Sequence, residues 1–234
     1  MDEELLRRAV ADGVEVRRPV QAIDVRLQSG GEQSVMVRDD NGETDVRCRW
    51  VIDASGVAAV LARKHGWLRP NTEHPTASAW ARWRGVKDWD GSALAEKFPH
   101  WAAACYGSRN TATNHVVGDG WWSWWIPLKG GDVSVGVVFD QRLVGFPNNE
   151  ARIGDRLKQF LSQHPVAAEI LEEAEWIEGD AHWRKNLAYV TTTFAGDGFA
   201  LVGDAAAFLD PLYSPGMVFH SPAGFVGELE GASE

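Results

Sequence analysis

Residues 198–217 read GFALVGDAAAFLDPLYSPGM, and this stretch decides the fold class. The apolar run Phe199, Ala200, Leu201, Val202 halts at Gly203-Asp204, three alanines follow, and a turn rich in Pro and Gly closes the segment. That pattern predicts a short buried strand delivering one carboxylate to the start of a small-residue helix. A carboxylate at such a corner loses solvation unless donors meet it, and sugar or sugar-alcohol hydroxyls are suitable donors. Ala205, Ala206 and Ala207 leave room for a bulky ligand against the backbone. A helix N-terminus also favours negative charge. The same letters fit a plain strand-turn-helix corner in which Asp204 is an N-cap.

Upstream, residues 2–12 predict a helix with Leu5, Leu6 and Ala9 on one face and Gly13 closing it. VEVR at 14–17 predicts the first extended segment. Residues 20–27 and 35–38 alternate, Ser29-Gly30-Gly31 and Asp40-Asn41-Gly42 turn, and 45–50 return, which is a three-strand meander leading into a strand over 51–54. Residues 61–65 read as a helical piece. A second, sheet-rich layer begins with a strand over 76–86, continues at 112–118, and forms a hairpin from 121–128 and 133–139 around Gly130-Gly131. Residues 151–174 are helical, with Ile153, Leu157, Phe160 and Leu161 at helical spacing and Pro165 as an interruption. Residues 183–193 return as a strand before the Gly196-Asp197-Gly198 turn. The expected class is α/β with mixed α+β character.

A chain of 234 residues supports one large domain or two small ones with ample core. Its net charge of −10 argues against nucleic acid or an anionic membrane surface as a partner. No apolar run reaches spanning length and Met1-Asp2-Glu3-Glu4 is not a signal peptide, so the expected location is cytoplasmic, with no membrane span. Cys48 and Cys105 lie far apart without CxxC spacing, which predicts free thiols. None of the seven histidines shows metal-ligand spacing with acids or cysteines, so no metal site is expected. Twelve tryptophans suit a pocket for flat ligands, although most such rings pack a core or sheet face.

Three motifs occur in order: Val51-Ile52-Asp53-Ala54-Ser55-Gly56, then Trp122-Ser123-Trp124-Trp125-Ile126-Pro127, then Gly203-Asp204 followed by Pro211 and Gly216. On these the chain resembles FAD-dependent oxidoreductases of the aromatic-hydroxylase type, and more narrowly their flavin-dependent halogenase-like branch. The resemblance implies FAD as cofactor and a partial FAD-binding Rossmann-like domain with an inserted antiparallel-sheet substrate domain. It divides the chain into 1–70 (FAD-binding, with the meander), 71–194 (substrate domain), 195–217 (return to the FAD-binding domain) and an irregular tail at 218–234. It further implies that Asp204 contacts the ribityl or phosphate-linked portion of the flavin, with Gly203 and Ala205 giving backbone clearance or N–H groups. Pro211 and Gly216 would shape the loop at the isoalloxazine, and Asp53 and Gly56 would lie near the adenosine. Asp53 fits a cap of the following turn equally well.

Trp122 and Trp124 are two apart, so on a strand both point to one face. The resemblance sets them near the flavin, where they disfavour ordinary monooxygenation; a packed aromatic sheet face is the other reading. His115 is a candidate acid or base facing the substrate space, against a structural role. Arg109 is a weaker candidate for an acidic substrate group.

The sequence also departs from the family pattern. It contains no G-x-G-x-x-G turn for a pyrophosphate, and the lysine that relays the hypohalous equivalent belongs to a region this sequence does not contain. Ser214-Pro215-Gly216 stands where halogenases carry Ser-Thr-Gly or Ser-Ser-Gly, and proline offers neither an N–H nor a hydroxyl to a halide. The expectation is a fragment or truncated gene product without the C-terminal helical region, whose enzymatic status and FAD binding stay open. The expected function is that of an FAD-dependent oxidoreductase, halogenase- or monooxygenase-like, acting on a small organic substrate, aromatic compounds included. The resemblance implies a flavin reductase or NAD(P)H as the electron source. The alternatives are a flavin-dependent halogenase proper, a prenyl-reductase-like flavoprotein, and a non-catalytic remnant or binding module.

Overall fold

Strands Val51–Asp53 and Phe199–Leu201 lie side by side and parallel, with Val51 opposite Phe199 and Asp53 opposite Leu201. Parallel neighbours cannot be joined by a tight turn, so the chain between them must leave and come back. The computed structural model describes residues 2–214 and resolves them into two compact units. Among these residues, the first comprises 2–67 with Thr191–Ala206 and the second Leu68–Val190 with 207–214.

In the first unit, helix Asp2–Ala11 precedes an antiparallel meander of Gln21–Arg26, Gln33–Asp39 and Gly42–Cys48. The strand expected at 14–17 is not formed. Those residues are exposed, irregular chain, and pairing starts only beyond Pro19, which has no N–H to contribute to a ladder. At the Asp39–Gly42 hairpin the Asp39 carboxylate accepts the Asn41 N–H at 2.8 Å, and Gly42 takes φ +121°, a conformation glycine adopts freely. The Gln33 amide is buried beside Gly198: it accepts the Gln28 N–H at 2.8 Å and donates to the carbonyls of Gln28 and Gly31, both at 2.9 Å. A Cβ on Gly198 would stand 2.2 Å from the Gln33 Nε2, so the Gly196-Asp197-Gly198 turn needs a glycine there. Lys64, in helix Val60–Lys64, reaches the Asp24 carboxylate and the Val25 carbonyl of the meander. The parallel pair is completed by Ala195–Gly196 in a three-stranded sheet.

The second unit is built on a five-stranded antiparallel sheet in the spatial order Glu175–Lys185, Thr76–Arg84, Val133–Asp140, Trp121–Pro127, Asn114–Gly118. Period-2 alternation separates its faces. One face carries Ala77, Ala79, Ala81, Trp83, Trp125, Val135, Val137 and Phe139, all buried. They pack against Leu157, Phe160 and Leu161 of helix Ile153–Leu161 and Val166 and Ile170 of helix Pro165–Ile170. The interruption expected at Pro165 is the first residue of that second helix, where the missing N–H costs nothing. On the opposite face, Gly136 sits between Trp80 and Trp124, its partners on the two flanking strands.

Other expectations are corrected. The strand read over 183–193 starts earlier, at Glu175, and breaks at Asn186, whose φ is +52°. A separate strand, Tyr189–Thr191, then pairs with Ala207–Phe208 and shares a sheet with Leu68–Pro70. That pairing claims the residues expected to continue a small-residue helix after Gly203. Only a single 3-10 turn, Gly203–Ala205, remains. Helices Ser92–Lys97 and Pro99–Ala103 fall in a stretch to which the sequence reading assigned no element.

Gly136→Ala is the sharpest test of this packing. The added Cβ would lie 2.3 Å from the Trp124 Cζ2 and 2.6 Å from the Trp80 Cβ, and a side chain's own Cβ cannot swing away. A loss of about 1–3 kcal/mol is expected from urea unfolding, with an unchanged m-value.

Candidate functional site

Ligands of open sheets with parallel strands bind beyond the carboxyl ends of those strands. In the first unit, Val51–Asp53 ends in the 3-10 turn Gly56–Ala58 and Phe199–Leu201 ends in the turn Gly203–Ala205, and the two turns touch. Gly56 and Gly203 have φ of +61° and +58°, which lets each strand turn sharply. A Cβ on Gly56 would meet nothing within 4 Å, so the backbone is open to an approaching group at that point.

Asp53 is buried and its carboxylate is spent on the backbone. One oxygen accepts the Ser55 N–H at 2.9 Å and the other accepts the Leu61 N–H at 2.7 Å, while its main-chain carbonyl accepts the Val202 N–H at 3.0 Å. It caps the turn and the start of helix Val60–Lys64, one of the two roles open from sequence. Asp204 is the middle residue of its turn and half-buried; the N-cap position belongs to Val202. Ala205 and Ala206 point inward and are buried, and Ala207 enters a strand.

In the second unit, Trp122 and Trp124 share the sheet face opposite the helices, their ring centroids 5.8 Å apart. Trp122 is buried, and its indole N–H donates to the Asp210 carboxylate at 2.9 Å. The same oxygen accepts the Leu212 N–H at 3.0 Å, and Leu212 packs on the Trp122, Val138, Leu187 cluster. Trp124 donates to the Ser134 hydroxyl at 3.2 Å. The His115 Nδ1 is 3.2 Å from the Ser123 carbonyl; a carbonyl only accepts, so Nδ1 carries the hydrogen and Nε2 keeps the lone pair. The ring of His115 stands edge-on to Trp122 and Tyr213, at 5.5 and 5.4 Å. Pro211 lies in the same segment, and Tyr213 and Ser214 after it both take left-handed φ, +59° and +56°, which is strained for non-glycine residues. Gly216 lies outside the described residues. Arg109 does not join this group: its guanidinium stacks 3.9 Å over Trp101 and its Nε donates to Asp90 at 3.0 Å.

Beside Trp122 opens a cleft of about 350 Å³. Its apolar wall includes Trp121, Val138 and Leu143, and its polar groups are His74, Thr76, Asp140 and Asp210. The buried Asp140 carboxylate accepts from the Arg142 Nε at 3.0 Å, Nη2 at 2.6 Å and main-chain N–H at 2.8 Å. The Arg142 guanidinium holds that carboxyl down to about 2. His74 Nδ1 lies 3.6 Å from Asp140, and the buried Thr76 hydroxyl has no hydrogen-bond partner. Sequence reasoning missed all four polar groups. Asp210 was signalled only by an Asp-Pro dipeptide in the opening stretch, and the others by nothing local.

Among the described residues, no three His, Cys, Asp or Glu side chains gather to hold a metal ion, and no helix is long and apolar enough to cross a membrane.

The family model described as tryptophan halogenase matches residues 1–223. A tryptophan 2-halogenase of Chondromyces crocatus is 28% identical over 226 residues, covering 92% of this chain and 39% of its own length. The structure of CmlS, a flavin-dependent halogenase, is 26% identical with a TM-score of 0.73, over 97% of this chain and 38% of that one. The halogenase PltM, solved with phloroglucinol and FAD, shares the fold at TM-score 0.78 and 20% identity, over 94% of this chain and 43% of that one. The chain thus spans less than half the length of these relatives.

Two outcomes are expected of this geometry. Trp122→Phe keeps an aromatic ring but removes a hydrogen bond to a charged acceptor, ~1.5–3 kcal/mol, and hydrogen exchange should quicken at Asp210 and Leu212. For Asp140 the folded carboxyl sits below its ordinary value of 3.8, so its stabilisation is complete above about pH 4 and is lost as pH falls toward about 2. In urea unfolding across that range, Asp140→Asn should lack this pH-dependent component.

Proposed function

The chain belongs to the tryptophan halogenase family, and from that premise we propose that it serves FAD-dependent oxidation of a small organic substrate, of the halogenase or monooxygenase kind. The observation that carries the proposal is the touching pair of glycine turns beyond the parallel strands, with Asp204 in one and an open backbone at Gly56 in the other. This arrangement fits a dinucleotide. Open backbone accepts close approach, and a half-buried carboxylate is the acceptor that a polyol's hydroxyls need. Gly203, Asp204 and Ala205 are assigned to the cofactor, with Gly56 at the second turn. Asp53 braces the same turn from behind, by accepting the Ser55 N–H before it and the Leu61 N–H after it. When bound, FAD supplies the electron chemistry with oxygen that no side chain can supply.

In the second unit the proposal assigns the organic substrate to the aromatic face. Trp122 and Trp124 form a dry wall, and the Nε2 of His115 is free to exchange a proton. By family resemblance, Pro211 and Gly216 shape the loop at the flavin ring. Ser214-Pro215-Gly216 lacks the donors of a halide turn, which favours the broader halogenase-like oxidoreductases over a halogenase proper. Electrons come from a flavin reductase or NAD(P)H. The proposed location is cytoplasmic, which the unpaired thiols of Cys48 and Cys105 suit.

The test is a titration of the folded chain with FAD, followed by flavin fluorescence. Saturable binding is expected, weakened about ten-fold or more by Asp204→Ala, the scale of hydrogen bonds to a charged group. Equal binding by the variant would remove Asp204 from the cofactor site. Absence of saturable binding would overturn the reading for this chain. Product formation that requires chloride or bromide would favour the halogenase proper.

A further inference from the structure

The cleft beside Trp122 has one polar corner, where two strands begin and end together. Thr76 is directly opposite Asp140 in the ladder. The Pro75 carbonyl accepts the Gln141 N–H at 3.0 Å and the Gln141 Nε2 at 3.1 Å, and the Thr76 N–H returns to the His74 carbonyl at 2.9 Å. These bonds fix His74, Thr76 and Asp140 around one end of the cleft. Three features of that corner bear on what the cleft can hold. The Thr76 hydroxyl is buried and unpartnered, a state that costs free energy until an oxygen or nitrogen meets it. His74 is half exposed, and its Nδ1 lies 3.6 Å from the Asp140 carboxylate. Asp140 is held ionised by Arg142 and therefore presents a lasting negative charge to that imidazole.

We propose that His74 is a catalytic base in this cleft, set by Asp140, that takes the proton from a weakly acidic ring hydroxyl whose oxygen is met by Thr76. The inference rests on the proposed function and places its organic substrate in the cleft beside Trp122, the ring that the cleft shares with the aromatic face. Its chemistry follows from the pairing. A carboxylate accepts and never donates, so the neutral tautomer that suits the 3.6 Å approach of Nδ1 to Asp140 has its hydrogen on Nδ1 and its lone pair on Nε2. The ligand O–H bond breaks, an N–H bond forms at Nε2, and the electron pair stays on the ligand oxygen. The imidazolium so formed faces the Asp140 charge, and the Thr76 hydroxyl donates to the new oxyanion. Asp210, the other carboxylate lining the cleft, is engaged by Trp122 and the Leu212 N–H. A ring bearing an ionised hydroxyl is electron-rich, the state in which an electrophilic oxidant attacks it.

Fluorine NMR titrations with para-fluorophenol and fluorobenzene, using the whole chain, test the recognition. The phenol should bind about five-fold more tightly or better, the worth of one good hydrogen bond. Thr76→Val should abolish that preference and Thr76→Ser should keep it, which separates loss of the hydroxyl from loss of folding. Para-nitrophenol tests the base through its visible phenolate absorbance. At a pH below its free pKa, the bound phenol should show the phenolate spectrum with the native chain and lose it with His74→Gln while binding persists. Equal affinity for the two fluoro compounds, or a phenolate spectrum indifferent to His74→Gln, would overturn the inference while leaving the substrate reading intact. Failure of both compounds to bind would overturn the inference together with the substrate assignment of the cleft. The FAD titration would report on the cofactor reading independently.

Discussion

The candidate cofactor corner of the first unit depends on the parallel pairing of Val51–Asp53 with Phe199–Leu201. Two short strands, distant in the chain, form one small sheet whose carboxyl ends open side by side. Asp53 makes the first end rigid by accepting two backbone N–H groups that would otherwise be orphans at a turn and a helix start. Gly203 makes the second end sharp by adopting a left-handed φ. A single buried carboxylate and a single glycine thus bring two turns into contact. Without the pairing, neither turn would have a neighbour, and Asp204 would be an ordinary surface acid.

The second unit follows a different constraint, the two-faced antiparallel sheet. One face is closed by helices and filled with alanines, valines and aromatic rings. The other keeps an open aromatic layer whose spacing is set by Gly136, the only residue small enough to let Trp80 and Trp124 cross the strand between them. Next to that layer the sheet end gathers charge and hydroxyl groups in a cleft, and the Trp122–Asp210 bond fastens the segment that leads toward Tyr213. The aromatic rings thus flank a place where a few polar groups are held in fixed orientation, which is the physical basis for assigning substrate chemistry there.

Much of this was legible from local patterns. The helix at 2–12, the meander with its Asp40-Asn41-Gly42 turn, the hairpin around Gly130-Gly131 and the amphipathic helix broken at Pro165 all depend on neighbours within a few residues. Strand periodicity likewise set Trp122 and Trp124 on one face, as the structure has them. The errors lie where a distant partner outweighed local preference. VEVR at 14–17 has β-branched alternation but no strand beside it, and three alanines after Asp204 favour a helix until Tyr189–Thr191 draws Ala207–Phe208 into a ladder. Arg109 looked like a candidate ligand because its burial under Asp90 and over Trp101 has no signature in sequence.

What the sequence by itself determined is the set of elements and the three motifs, because helix and strand periods, turn residues and a Gly-Asp corner act at short range. What only the tertiary structure decided is which chemical groups meet. The contact of the two glycine turns and the His74, Thr76, Asp140 corner join residues through strand register or sheet order, and the Trp122–Asp210 bond joins a strand to a segment 88 residues away. Register is a property of the packed whole: one buried face fixes it, and a one-residue slip would exchange every inward side chain for its outward neighbour.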